Sequence, residues 1–192
     1  MVREDDLGET ETKKIVLKDG KIWYRPRLLK DVYQILGENL ESYMLVGGNT
    51  AKGAFLIAEY PNALIDITAV QELRTNELDQ NLVVGAGLTL TEFMDILKEG
   101  SKVENFSYFE KLYNHIELVA HIPIRNVGTI GGNLMIKHTY TVFQSDIFLL
   151  LDTVGAQLTI SDYKGKQEVV TMQHFLTIDM KGKVIINIML PP

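Results

Sequence analysis

The apolar run Tyr43-Met44-Leu45-Val46 stops abruptly at Gly47-Gly48-Asn49-Thr50, and a further glycine follows at Gly53. Such a boundary reads as a strand feeding a tight turn, because residues without side chains let the backbone reverse and approach another group closely. Upstream, Leu28, Leu29, Val32, Ile35, Leu36 and Leu40 recur at helical spacing. Before them, Lys21 to Tyr24 reads as a strand ended by Arg25-Pro26, since proline cannot donate to a sheet ladder. Strand, helix and strand in that order predict a small parallel unit with a right-handed crossover. The glycine turn then falls at the carboxyl edge of a strand, where open α/β sheets bind ligands.

A second glycine cluster, Gly128-Thr129-Ile130-Gly131-Gly132-Asn133, lies further on, and the chain between the two is mixed. Ala63 to Ile67 reads as a strand, and Glu72 to Asn76 with Asn81 to Ala86 as a hairpin around residues 77–80. Thr89 and Glu92 have capping-box spacing at the start of an amphipathic helix through Phe93, Ile96 and Leu97. Phe106 to Ala120 predicts another helix, ended at the latest by Pro123, and Asp146 to Leu151 a third. Gln157 to Ser161, Lys166 to Val170 and Val184 to Leu190 have strand character with a turn at 162–165. The expected class is α+β in two lobes: a parallel βαβ lobe over 21–58 and a larger mixed or antiparallel lobe over 59–192. Residues 1–20 are expected to be a disordered leader or interdomain linker, being polar and charged at their start.

Composition narrows function by exclusion. The 192 residues contain no cysteine, so this segment holds no disulfide, thiolate nucleophile, zinc ribbon or iron-sulfur cluster. The formal charge is −6, and no run of Lys or Arg offers a footprint for nucleic acid or an anionic membrane surface. There is no secretory signal pattern and no bilayer-length apolar run, so a cytoplasmic location is expected. His115, His121, His138 and His174 are scattered without the paired spacing of a zinc site, and no metal is assigned. Neither a Walker ending nor GxGxxG spacing is present.

Each glycine cluster alone is compatible with a plain turn. Two of them, each bearing an asparagine, form a pattern that can hold a dinucleotide at two points, one on the pyrophosphate and one on the ribityl chain or ring. Ser145-Asp146 ahead of Ile147 to Leu151 reads locally as a helix N-cap, with Asp146 as the alternative acceptor for ribose or flavin N–H.

Leu45-Val46-Gly47-Gly48-Asn49-Thr50, then Leu82-Val83-Val84-Gly85-Ala86-Gly87, then Ile124-Arg125-Asn126-Val127-Gly128-Thr129-Ile130-Gly131-Gly132-Asn133 together resemble the flavin domain of molybdenum hydroxylases, the aldehyde oxidase and xanthine dehydrogenase family. The likeness runs from about Trp23 to Pro191. The stretch from Lys137 to Leu150 looks more like insect aldehyde oxidases than xanthine dehydrogenases.

The resemblance implies a two-lobed, vanillyl-alcohol-oxidase-like (PCMH-type) fold holding FAD. It implies that Leu45, Val46, Gly47, Gly48, Asn49, Thr50, Ala51 and Lys52 wrap the pyrophosphate. Ala120 or its neighbour Val119 would lie against the flavin; Thr129, Gly132 and Asn133 would bind through the second cluster; Asp146 and the backbone near Asp179 or Met180 would complete the set. No catalytic residue is implied. In such enzymes electrons pass from molybdenum through iron-sulfur clusters to FAD and then to oxygen or NAD, and the full-length enzyme is expected to be a homodimer. The family continues beyond Leu190-Pro191-Pro192 into a further flavin lobe and a molybdenum domain, so this segment is not expected to turn over aldehydes by itself. The alternative is a truncated paralogue acting as a flavin-binding or interaction module.

Overall fold

The structure is a computed structural model that describes residues 11–192. Its elements in chain order are β1 (Lys13–Val16), β2 (Ile22–Arg25), α1 (Leu29–Glu38), β3 (Tyr43–Val46), β4 (Ala63–Asp66), β5 (Asn76–Leu78), β6 (Leu82–Gly85), α2 (Leu90–Gly100), α3 (Phe109–Ile116), α4 (Ile122–Arg125), α5 (Ile130–Thr139), α6 (Asp146–Thr153), β7 (Gln157–Asp162), β8 (Gln167–Thr171), α7 (Met172–Phe175) and β9 (Lys183–Leu190). They build two sheets, one ordered β1-β2-β4-β3 and one ordered β5-β6-β9-β7-β8. The two-lobed α+β expectation therefore holds.

The first sheet is parallel across β2, β4 and β3, with β1 antiparallel at its edge. β4 lies between β2 and β3, so the β2-α1-β3 crossover passes over one strand position. The expected lobe boundary at residues 58 and 59 is thus too early: Ala63, Leu64 and Ile65 of β4 are buried in the middle of the first sheet. Helix α1 covers this sheet with Val32 and Leu36, both fully buried. Each such side chain contributes about 1.5–3 kcal/mol relative to exposure.

Part of the expected leader belongs to the first sheet. Residues 1–10 lie outside the described residues, but Lys13–Val16 pairs with β2 from Lys13↔Arg25 to Val16↔Ile22. A tight turn makes that pairing possible, with Gly20 at φ +84°, the Gly20 N–H donating to the Leu17 carbonyl and the Leu17 N–H to the Lys21 carbonyl.

The second sheet is antiparallel, and its central strand β9 joins the two cores. Ile185, Ile188 and Leu190 pack into the larger core, whereas Val184 and Ile186 belong to the core under the first sheet. A register shift opposite Thr159 and Ile160 makes this possible, because one extra residue in β9 flips the alternation of faces.

Three local expectations change. The hairpin is β5–β6, and its first arm is shorter than expected because Gln71–Leu73 forms a 3-10 turn that buries Leu73. The helix read over 106–120 is α3 alone, preceded by a 3-10 turn at Glu104–Phe106. Pro123 begins the short helix α4, where its missing N–H costs nothing. The second glycine cluster is mostly helical, since Gly131, Gly132 and Asn133 form the first turns of α5.

Candidate functional site

The residues expected to hold the cofactor come from both lobes, and the two glycine clusters among them meet. β3 carries Leu45 and Val46 to the sheet's carboxyl edge and ends at Gly47. Val46 is buried and Leu45 packs against the first core, so these two contribute support and backbone rather than side chains to a ligand. Asn49 then takes a left-handed conformation, φ +52°, that asparagine tolerates better than most residues. Thr50 and Ala51 lie in a 3-10 turn, Thr50–Gly53. Lys52 is exposed, with its ammonium 5.5 Å from the Tyr60 ring centroid.

The two glycine clusters touch. A Cβ placed on Gly48 would lie 1.7 Å from the Val127 carbonyl oxygen, and one on Gly47 would lie 3.0 Å from Thr129 Oγ1. Gly128 in turn packs against Thr50, whose Oγ1 is 3.3 Å from the Cβ position. The clusters therefore form one continuous backbone surface, not two jaws separated by a cleft. Surface hollows lie at Glu11, Thr12, Leu28, Lys30 and Asp31, and at 42–44 with 59–62, the second lined by Tyr60 beside Lys52. The site is an open face on which Asn49, Lys52, Ala120, Gly132 and Asp146 are exposed.

Hydrogen-bond bookkeeping separates the roles of the clusters. At the start of α5, Ile130 N–H donates to the Leu88 carbonyl, Gly131 N–H to Ala86, Gly132 N–H to Thr129 Oγ1, and Asn133 N–H to the Thr129 carbonyl. That helix start thus keeps no free donor among these four for an anion. The N–H groups of Gly47, Gly48 and Asn49, by contrast, have no acceptor among the described residues. Consecutive unpaired N–H groups at a bend are the chemistry that binds phosphate oxygens. The residues present therefore fit a pyrophosphate on the first turn.

The second cluster offers shape and an amide. Asn133 Oδ1 accepts from Ser145 Oγ, and Ser145 Oγ also accepts from Phe148 N–H at 2.9 Å, capping α6. Ser145 is thus the cap of α6, and Asp146 is exposed as the first residue of that helix. Asp146 Oδ1 is 3.7 Å from His115 Nε2.

Ala120 is the second non-glycine residue with positive φ, +56°. For an alanine this costs roughly 1–2 kcal/mol unless the surroundings fix it. Arg125 supplies that fixation. Its Nη1 donates to the carbonyls of Glu117, Val119 and Ala120 at 2.9, 3.0 and 2.8 Å, and the residue is 8% exposed. Arg125 stands inside the stretch that carries the family resemblance, but no periodicity or spacing marks it as the partner of the 117–120 turn. Around it, Leu118, Ile122, Ile124 and Val127 leave an exposed apolar ledge beside the second cluster.

Met180 is set apart. Its side chain is buried in the larger core, and no hydrogen bond ties it to either cluster. The loop before it is held at Ile178, whose carbonyl accepts from His138 Nε2 at 2.8 Å. His138 lies six residues along α5 from Gly132, about 9 Å of helix.

Residues 14–192 match the family described as the FAD binding domain in molybdopterin dehydrogenase. Abscisic-aldehyde oxidase of Arabidopsis thaliana is 32% identical over 177 residues, covering 88% of this chain and 13% of that protein. Probable aldehyde oxidase 3 of Oryza sativa subsp. japonica is 29% identical over 166 residues, covering 84% of this chain and 12% of the relative. The chain thus spans a small part of these relatives. Among solved structures, carbon monoxide dehydrogenase from Hydrogenophaga pseudoflava superposes with a TM-score of 0.72 at 23% identity, covering 88% of this chain and 58% of that one. Quinoline 2-oxidoreductase from Pseudomonas putida 86 gives 0.67 at 24%, covering 87% and 57%. At these identities the structural likeness establishes the fold, and the match over 14–192 establishes the family: the chain belongs to the FAD-binding domains of molybdopterin dehydrogenases.

Proposed function

We propose that this chain holds FAD as the electron-carrying segment of a larger molybdenum-containing oxidoreductase of the aldehyde oxidase and xanthine dehydrogenase kind. The observation that supports this most is the junction of Gly47-Gly48 with Val127-Thr129, where the N–H groups of Gly47, Gly48 and Asn49 have no acceptor among the described residues. Bound FAD supplies two-electron chemistry, taking electrons from iron-sulfur clusters on other domains and passing them to oxygen or NAD. This chain's residues bind and orient it. The first turn takes the pyrophosphate; Thr129 and Gly132 shape the second contact; Asn133 and Asp146 offer polar groups to the ribityl chain or ring; Val119 and Ala120 form its apolar support. Met180 would add a main-chain contact only. No general base is assigned, since the segment's task is positioning.

The particular likeness to insect aldehyde oxidases and homodimeric assembly of the full enzyme belong to this proposal. Size measurement of the full-length enzyme checks the second. Adding FAD to the purified chain tests the core reading: one equivalent of flavin retained on gel filtration supports it, and a colourless protein contradicts it. Addition of NADH to the flavin-loaded chain then tests a further alternative, a free-standing flavin reductase of the same fold, which requires the flavin to bleach.

A further inference from the structure

The chain leaving α3 runs through Glu117, Leu118 and Val119 in helical turns, their N–H groups donating to the carbonyls of Tyr113, His115 and Ile116. It then reverses at Ala120, where φ is +56°. Helices commonly end in one left-handed residue, usually glycine, because a side chain there is strained. Here the residue is alanine, and carbonyls of the same turn have no helical N–H donor. The carbonyls of Glu117, Val119 and Ala120 all point to one guanidinium nitrogen, Nη1 of Arg125. Arg125 comes from α4, one turn beyond the reversal, and is almost wholly buried. A cation at the end of α3 also complements the partial negative charge of a helix carboxyl end.

The reversal determines where the apolar ledge stands. Leu118 and Ile122 flank Ala120 at 83% and 63% exposure, and α4 leads directly into Val127-Gly128, whose N–H donates to the Ile124 carbonyl at 2.7 Å. Movement of the reversal would carry Leu118 and Ile122 away from the second glycine cluster, whereas Val127 and Gly128 stay held by their contacts with Gly48 and Thr50.

We propose that Arg125 is the positioning residue of the flavin-ring half of the site: by gathering three carbonyls it holds Ala120 left-handed and fixes the Leu118–Ile124 ledge against which the isoalloxazine lies. The inference rests on the FAD reading above, and adds to it that ring binding and pyrophosphate binding are separable, with Arg125 controlling only the first.

The test uses two probes, FAD and ADP, the latter carrying the pyrophosphate without the ring. Arg125→Met is expected to weaken FAD by roughly tenfold or more, the value of a charge-assisted hydrogen-bond set, while ADP affinity stays within about twofold. Arg125→Lys keeps the charge but lacks the planar fork, and is expected to lose FAD affinity selectively too, so the test survives if Arg125→Met fails to fold. In an Ala120→Gly background, where the left-handed conformation needs no clamp, the FAD penalty for removing Arg125 is expected to shrink by several-fold. Equal loss of FAD and ADP binding, or the same penalty in both backgrounds, overturns the inference and makes Arg125 a general stability residue. Failure of the unaltered chain to bind either probe overturns the FAD reading itself.

Discussion

Gly48 lies flat against the carbonyl of Val127, 79 residues further along the chain, with no room between them for a single methyl group. This contact locks a turn of the first lobe to a turn of the second, and it sets the two glycine clusters against each other.

Replacing Gly48 by alanine is expected to force the two turns apart. A Cβ would stand 1.7 Å from Val127 O and 2.9 Å from Gly128 N, and backbone atoms cannot rotate away as a side chain can. The cost is expected at about 1–3 kcal/mol, with loss of FAD binding. Gly53→Ala is the control, because nothing lies within 4 Å of its Cβ position and its φ is not positive. Its effect on urea unfolding should stay within about 0.5 kcal/mol.

Thr129 works through its hydroxyl. Thr129→Ala strips the acceptor from Gly132 N–H and empties the contact with Gly47, with an expected loss of about 1 kcal/mol. Thr129→Ser retains the oxygen and should recover most of that stability. Paired denaturation curves check this, and equal losses in both variants would point to the methyl group instead.

A pH effect is expected far from the site. Burial pushes the Tyr108 phenol up from 10.0 to about 12, and its hydroxyl donates to the Pro191 carbonyl at 2.6 Å. The folded state thus holds this proton more tightly than the unfolded chain does. Its contribution is complete below pH 10 and is lost as pH rises from 10 through about 12. Stability measured across that window should fall less steeply in Tyr108→Phe, which lacks the titrating group.

Much of this was legible in the sequence because the signals were local. The capping box at Thr89 and Glu92 forms as its spacing predicts, with Glu92 N–H donating to Thr89 Oγ1 and Glu92 Oε2 accepting from Thr89 N–H. Helix α1 and strands β3, β7 and β9 follow their periodicities. What was hidden depends on partners distant in sequence. β1 exists because the edge of β2 was open to it, and β4 joins the first lobe because two parallel neighbours accept it. Gly131-Gly132 looked like a loop because glycine is a poor helix former, yet packing overrides propensity there: a Cβ on Gly131 would come within 3.0 Å of Ala86 O. The two glycine clusters meet and Met180 is buried in the larger core, but the division of labour between the clusters depends on which acceptor each N–H group finds in the fold, and no sequence pattern carries that.

We propose that the N–H groups of Gly47, Gly48 and Asn49, unpaired among the described residues, grip a flavin dinucleotide. This is tested most directly by amide NMR of the labelled chain during titration with FAD. Large, saturable shifts at those three residues, with slower hydrogen exchange in the complex, are the predicted result. FAD that binds while leaving all three amides unmoved would contradict it.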